Sequence, residues 1–309
     1  MVLSIVGLGL GDVEDITIKG FKAIKDADIV YLEIYTSFLI NSDKHKLEEY
    51  YGKEIKEVDR IFVEEQNDTL LNEAKDKNVA LLIAGDPFRY PLTPLSSLTT
   101  YPYIYYPYAT THVEIYYKAM NSGINVNVIH NASILNSVGI TGLQLYRFGE
   151  TVSIPFFEEN WKPFSFYDKI MQNYNNNLHT LCLLDIKVRE RSVENIMKNK
   201  LIFEEPSYLL PVIYNFEFGI FPYYSNINMN TVTHYHNYYY NFTIILRFKI
   251  GKIDFMVIGI ARLSSEDQII KSGKLEDLLN FDFGPPLHSL IVCSPHLHHY
   301  EQLFFNHYS

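Results

Sequence analysis

At 309 residues the chain has room for one large or two ordinary domains, and a hydrophobic fraction of 47% supplies real cores. A formal net charge of −10 argues against general nucleic-acid binding, because an acidic surface is repelled by a phosphate backbone. No uninterrupted apolar run reaches the roughly 18 residues of a membrane span. The N-terminus reads as a strand rather than a secretory signal.

The first seventeen residues set a pattern. Residues 1–6 are apolar with β-branched content. Gly7, Gly9 and Gly11 then alternate with Leu8 and Leu10, and Ile18, Phe21 and Ile24 follow at helical spacing, with the helix expected over 15–25. Glycines at a strand-to-helix junction let the backbone bend sharply and approach a ligand, and the helix that follows is expected to offer free amide hydrogens. The spacing is G-x-G-x-G-D, not the dinucleotide fingerprint G-x-G-x-x-G. Asp12 stands where the last glycine belongs. A nicotinamide site is therefore disfavoured, even with Glu33 placed to imitate the ribose-binding acid. A plain tight β-α turn is the alternative.

Downstream, a strand over 28–34, a polar helix over 44–51 and one helix-like segment over 60–75 are expected. The run 79–84 is continuously apolar and is closed by Gly85, Asp86 and Pro87, as in a strand buried on both faces of a parallel sheet. Another strand is expected over 124–129. Alternating β and α predicts an N-terminal α/β domain over 1–130. Ligands of open parallel sheets sit at the carboxyl ends of strands. Three strand ends, 7–12, 85–88 and 130–134, are therefore expected along one edge. Asp86 offers acceptors to a ribose or amine. Ser133 reads either as a helix cap or as a ligand contact.

After residue 130 the character changes. Strands over 152–156, 180–186, 255–261 and 288–293 are expected, with helices over 166–173 and 192–198 and one opening at 264–268. They predict a second, mixed α/β domain over 131–309. Cys182 and Cys293, both in strand-like runs, read as buried reduced thiols. His112 and Arg262 are candidate substrate contacts, the latter able to hold a carboxylate in a bidentate way. Their alternatives are a helix cap and an interdomain ion pair, and Glu114 reads as a solvated face. His234, His236, His296, His298, His299 and His307 lack metal-ligand spacing with cysteine partners, so a solvent-exposed tail and no metal site are expected.

Taken in order, LSIVGLGLGDVEDITIKG, VYLEIYTSFL, LIAGDPF with ATTH, IHNASILNSVGITGLQLYRFGETVSI, HTLCLLDIKVRERS, ARLSSEDQIIKSG and GPPLHSLIV form a specific set. The set resembles the diphthine synthases, diphthamide-pathway methyltransferases of the tetrapyrrole-methylase-like superfamily, over roughly residues 1–88, 109–206 and 256–294. The resemblance implies a two-domain α/β fold with a mainly parallel N-terminal sheet and a mixed C-terminal sheet. It also implies S-adenosyl-L-methionine in the cleft between them, leaving as S-adenosyl-L-homocysteine. Carried onto this chain, cofactor contacts fall at Leu10, Asp86, Ser133, Ile134, Leu184, Leu263 and His288. The implied partner is elongation factor 2, methylated on the amine and carboxylate of a 3-amino-3-carboxypropyl-histidine by a cytoplasmic enzyme with no membrane or nucleic-acid partner; related folds often form homodimers. Methyl transfer from a sulfonium is an in-line displacement that asks chiefly for alignment. No acid-base pair stands out and no catalytic residue is assigned. Alternatives are another methyltransferase of the same fold and an inactive cofactor- or partner-binding homologue.

Two stretches depart from the family pattern. Residues 89–108, dense in proline and tyrosine, split GDPF from ATTH and displace the glycine expected after Phe88. Residues 209–252, rich in Tyr, Asn, Phe and Ile, replace a segment that should hold a helix. Each reads either as a surface element or as a translated intron.

Overall fold

The computed structural model describes residues 1–35, 37–88, 111–154, 165–184, 255–278, 281–285 and 287–309. The departures at 89–108 and 209–252 and the expected helix at 192–198 lie outside the described residues. The described chain divides into one unit over 1–137 and a second from 138 onward.

In the first unit, apolar runs become β1 (Val2–Gly7), β2 (Ile29–Glu33), β3 (Lys56–Val58), β4 (Val79–Ile83) and β5 (Asn125–Ile129). Every pairing is parallel, in the order β3-β2-β4-β1-β5. β4 is buried at each position. Val79, Leu81 and Ile83 enter one core, and Ala80 and Leu82 enter the other. Burial on both faces explains why the run carries no polar alternation, and each large side chain so buried contributes about 1.5–3 kcal/mol.

The helices are α1 (Ile18–Asp26), α2 (Lys44–Tyr51), α3 (Arg60–Glu64), α4 (Asp68–Asp76), α5 (Thr111–Asn121) and α6 (Ile134–Ser137). Ile24, Leu47 and Tyr51 pack with Ala80 and Leu82 on one face of the sheet. Leu70, Leu71, Ala74, Ile115 and Ala119 pack with Leu81 on the other. Thr17 caps α1 by accepting the Gly20 amide hydrogen at 3.0 Å, and Asp43 does the same for α2 through Lys46 at 2.8 Å.

The segment expected as one helix over 60–75 is two. Buried Asn67 turns its side-chain amide back onto the Val63 carbonyl at 2.9 Å and receives Lys118 Nζ at 3.1 Å. An asparagine that bonds the backbone locally competes with helix continuation.

The second unit contains β6 (Val152–Ile154), α7 (Ser165–Asn175), β7 (Thr180–Leu184), β8 (Met256–Ala261), β9 (Ile269–Lys274), α8 (Leu275–Leu278), β10 (His288–Val292) and α9 (His299–His307). The sheet is mixed, in the order β6-β7-β10-β8-β9, with β6 and β7 parallel and the other pairs antiparallel. Its core joins Phe166, Tyr167 and Ile170 of α7 to Cys182, Val257, Leu290 and Val292. Both cysteines are free and buried, and burial raises both thiols well above their usual range.

Two expectations fail here. The helix expected to open at 264–268 is a hairpin turn leading into β9, whose Ile269 pairs with Ala261. Arg262 and Ser264 take left-handed backbone angles, φ 49° and 73°. Ser265 Oγ donates to the Arg262 carbonyl at 2.7 Å. The serine-rich start that looked like a helix cap thus closes a turn. Nor is the C-terminal stretch a polar tail. α9 starts with a capping box, in which His298 accepts from the Tyr300 amide and Glu301 accepts from the His298 amide at 2.7 Å. It then buries Glu301 and Phe305. Among the described residues no helix is long and apolar enough to cross a membrane, and no three His, Cys, Asp or Glu side chains gather as a metal site.

Candidate functional site

Strand order decides which expected residues meet. β4, β1 and β5 are neighbours. The loops leaving their carboxyl ends, 8–12, 84–88 and 130–133, therefore share one edge of the first unit. Leu10 follows β1, Asp86 follows β4, and Ser133 and Ile134 follow β5.

Backbone contacts hold this edge tightly. Gly9 and Gly85 form a two-bond bridge, Gly85 N–H to Gly9 O at 2.6 Å and Gly9 N–H to Gly85 O at 3.3 Å. Both adopt left-handed angles, φ 86° and 78°. A Cβ on Gly7 would stand 2.5 Å from the Gly85 carbonyl oxygen. Glycine is required by backbone crossing backbone.

The glycine loop turns two of its amides onto a carboxylate of its own chain. Asp15 Oδ2 accepts from Leu10 N–H at 3.1 Å and from Gly11 N–H at 2.7 Å. Thr17 takes one first-turn amide of α1, that of Gly20.

Asp86 is likewise engaged. Its Oδ1 accepts from Phe88 N–H at 2.9 Å, and its Oδ2 accepts from Asn131 N–H at 3.1 Å and meets His130 Nδ1 at 2.8 Å. Asn131 ties the edge together. Its side-chain amide donates to the Gly7 carbonyl at 3.0 Å and to the Asp15 carbonyl at 2.9 Å. Its Oδ1 accepts from Ala132 N–H at 2.7 Å. Buried Ser133 directs both its N–H and its Oγ to Asn136 Oδ1, at 2.7 and 3.3 Å, and its carbonyl accepts from Ser137 N–H at 2.9 Å. Ile134 is half-buried at the start of α6.

His112 lies in the first turn of α5. It is not the helix cap considered from the sequence, since both ring nitrogens bond elsewhere. It is buried, with Nδ1 at 2.8 Å from the Pro87 carbonyl and Nε2 at 3.0 Å from Glu33 Oε2. Glu33, weighed as a ribose acid, meets this histidine instead, and its Oε1 accepts from Tyr35 N–H at 3.3 Å. Glu114 is half-exposed and pairs with Lys118 at 2.8 Å.

In the second unit, β7, β10 and β8 are neighbours. His288 opens β10 opposite Ala261. Ser289 pairs with Leu183, which puts Leu184 beside His288. Buried Leu263 follows β8 in the turn. Leu184, His288 and Leu263 thus share one end of three adjacent strands.

Arg262 is buried at 4% exposure within this edge. Its Nε bonds Asp267 Oδ2 at 2.5 Å, and its other nitrogens donate to the carbonyls of Phe283 at 2.8 Å, Asp267 at 2.9 Å and Pro285. The ion pair is internal to this unit rather than interdomain. His288 Nε2 faces the Gly284 and Pro285 carbonyls, both at 3.1 Å, so that nitrogen carries the proton. Burial, and then the Arg262 charge, push the ring from its usual 6.5 down to about 4. The imidazole is neutral at cellular pH.

The donor set decides what the first edge suits. Four of its loop amides are taken by Asp15 and Asp86, and both carboxylates stand near the strand ends. Their negative charges favour a positively charged group over a phosphate beside them. Sequence reasoning placed His130 and Asn131 at this edge without giving either a role, and passed over Asp15. Asn131 lay in plain view inside the motif IHNASI, a polar residue at the end of a strand that ends in the buried Ile129.

Comparisons with known proteins extend the geometry. Residues 2–100 match the model of the tetrapyrrole (corrin/porphyrin) methylases. A diphthine methyl ester synthase from Dictyostelium discoideum is 40% identical over 306 residues, covering 99% of this chain and 97% of the relative. One from Homo sapiens is 39% identical, covering 97% of this chain and 92% of the relative. A crystal structure of diphthine synthase superimposes with a TM-score of 0.73 at 30% identity, covering 100% of this chain and 96% of that one.

Proposed function

The chain belongs to the diphthine methyl ester synthase family, a methyltransferase of diphthamide biosynthesis with the tetrapyrrole-methylase fold, and on that premise we propose that it draws methyl groups from S-adenosyl-L-methionine and places them on elongation factor 2. The acceptor is a 3-amino-3-carboxypropyl group on a histidine of that factor, methylated on its amine and esterified on its carboxylate. The factor works in the cytoplasm, and so does this enzyme.

The observation that carries the cofactor reading is Asp15. Its carboxylate takes up two amides of the glycine loop, and its negative charge favours a cation there over a phosphate. We assign Leu10, Asp86, Ser133 and Ile134 of the first unit, and Leu184, Leu263 and His288 of the second, to the methyl donor. When bound, the donor supplies a methyl group on a positively charged sulfur that leaves as a neutral thioether.

The chain's own residues then have modest tasks. Asp86 and Asp15 hold the loops of the first edge in one shape, and their charge favours a cationic ligand. Neutral His288 presents a polar edge without adding a second positive charge beside Arg262. Arg262 spends its donors on carbonyls and Asp267, so its part is to shape the loop that carries Leu263. No side chain is given a proton-transfer role. An α-amine titrates near 7.7–8.0, so a usable fraction is neutral, and a carboxylate needs no base. Rate then comes from alignment of nucleophile, methyl carbon and sulfur.

Calorimetric titration of the full chain with S-adenosyl-L-homocysteine, with NAD as control, tests this. Saturable binding of the former alone is expected, followed by methyl transfer to elongation factor 2 carrying the unmethylated group. Binding of NAD, or of neither, would sink the cofactor reading.

A further inference from the structure

We infer that His112, gripped by Glu33, is a positioning residue that sets the Asp86-Pro87-Phe88 turn for the methyl donor. The inference rests on the cofactor reading above. His112 is 5% exposed and Glu33 is 2% exposed. A carbonyl oxygen only accepts, so the 2.8 Å contact to Pro87 puts a proton on Nδ1. The 3.0 Å contact between Nε2 and Glu33 Oε2 then requires a proton on one of those two atoms. Both ring nitrogens face protein acceptors, so the ring acts through the turn rather than on a substrate.

The turn needs such an anchor. Pro87 has no amide hydrogen, so of its own backbone polar groups only the carbonyl can be held. Glu33 ends β2, which lies beside β4 in the sheet. The imidazole therefore joins the rigid end of one strand to the turn that leaves its neighbour. One turn of α5 further on, Tyr116 meets the Phe88 ring edge-on at 6.0 Å. α5 thus holds the turn at two points, Pro87 and Phe88, within the stretch closed by the Asp86–Phe88 hydrogen bond. Apolar packing could fill the same space. A buried polar pair costs desolvation and gives in return one orientation of one carbonyl.

The test separates the two ends of the ring. Asparagine places its amide nitrogen near Nδ1, and glutamine places its own near Nε2. H112N keeps the Pro87 bond, whereas H112Q keeps the Glu33 contact and loses Pro87. S-adenosyl-L-homocysteine affinity of H112N is expected within about threefold of the unaltered chain, and that of H112Q about tenfold weaker or more. E33Q, whose amide donates to Nε2, should stay within about threefold. In turnover the H112Q defect should appear in KM for the methyl donor more than in kcat. Thermal unfolding is recorded alongside. Equal loss of affinity in H112N and H112Q, in step with equal loss of stability, would overturn the role, as would undiminished affinity in H112Q. No binding by the unaltered chain would overturn the cofactor reading and this role with it. Should the variants not fold, histidine-labelled NMR of the unaltered chain decides. A proton on His112 Nδ1 that shifts on ligand addition is expected. A bare Nδ1, or a resonance indifferent to ligand, overturns the proposal.

Discussion

The two units shape their loops with opposite charges. In the first, loops wrap around carboxylates: Asp15 collects the Leu10 and Gly11 amides, and Asp86 collects those of Phe88 and Asn131. In the second, loops wrap around guanidiniums. Arg262 collects the carbonyls of Phe283, Pro285 and Asp267. Arg147 collects those of Asn177 at 2.8 Å and His296 at 3.2 Å. A carboxylate accepting one or two amides has a near-substitute in an amide oxygen. A planar fork with five donors has none. The first unit should therefore tolerate conservative changes that the second does not.

The largest effect is expected at Glu301, where the second unit places a carboxylate among its donors. It accepts from Gln144 N–H at 3.0 Å, His298 N–H at 2.7 Å and Arg147 at 3.1 Å, and meets His179 Nε2 at 3.1 Å. Burial pushes this carboxyl up, yet those donors outweigh it and hold it below its usual range. Glu301→Ala strands a buried histidine and a guanidinium together and should cost about 3–5 kcal/mol in denaturant unfolding. A loss below about 1 kcal/mol would show that the network is ornamental.

Acid should weaken the second unit first. His288 titrates near 4 folded against 6.5 unfolded, so between those values the unfolded chain binds more protons. Stability is full above pH 6.5 and falls as pH drops toward 4, by up to about 3 kcal/mol from this group. Burial lowers His179 in the same sense. His288→Gln should therefore flatten the slope without abolishing it, which unfolding curves from pH 4 to 7 would reveal. An unchanged slope would refute the assignment.

Next comes a matched pair. Arg262→Lys should cost about 2 kcal/mol, because an ammonium cannot reach the three carbonyls and Asp267 at once. Asp15→Asn should cost under about 1 kcal/mol, since the amide oxygen still accepts from Leu10 and Gly11. Comparable losses at both positions would erase the contrast between the units.

The sequence was most legible where burial was simplest. The run 79–84 announced a doubly buried strand because no position in β4 meets water. The strand-end rule brought Leu10, Asp86 and Ser133 to one edge because β4, β1 and β5 proved to be neighbours. The hairpin at 264–268 was opaque for a local reason. Serine and aspartate close turns and cap helices with the same hydrogen bonds, and only the left-handed Arg262 and Ser264 distinguish the outcomes. The pins of the site were opaque for a global one. Asn131 reaches Gly7 across 124 positions and His112 reaches Glu33 across 79. No spacing rule spans such distances. α9 was readable in principle, since His298 and Glu301 stand in capping-box register, but its run of histidines read as a solvent-exposed tail instead.

The smallest effect is expected from the most conspicuous feature of the sequence. Residues 89–108 interrupt GDPF and ATTH, yet the described chain is tied across the interruption. His112 bonds Pro87, Tyr116 packs on Phe88, and Asp86 caps the Phe88 amide. His112, Tyr116 and Asp86, all outside 89–108, thus hold the Asp86 turn. The entropy of closing a connection changes only by about 0.6 kcal/mol for each doubling of its length, so shortening it should alter stability little. Replacing residues 89–108 with a single glycine should leave S-adenosyl-L-homocysteine affinity within about threefold, or tighten it. A loss beyond about tenfold would mean that the replaced residues belong to the donor site, and that the first unit depends on more than its carboxylates.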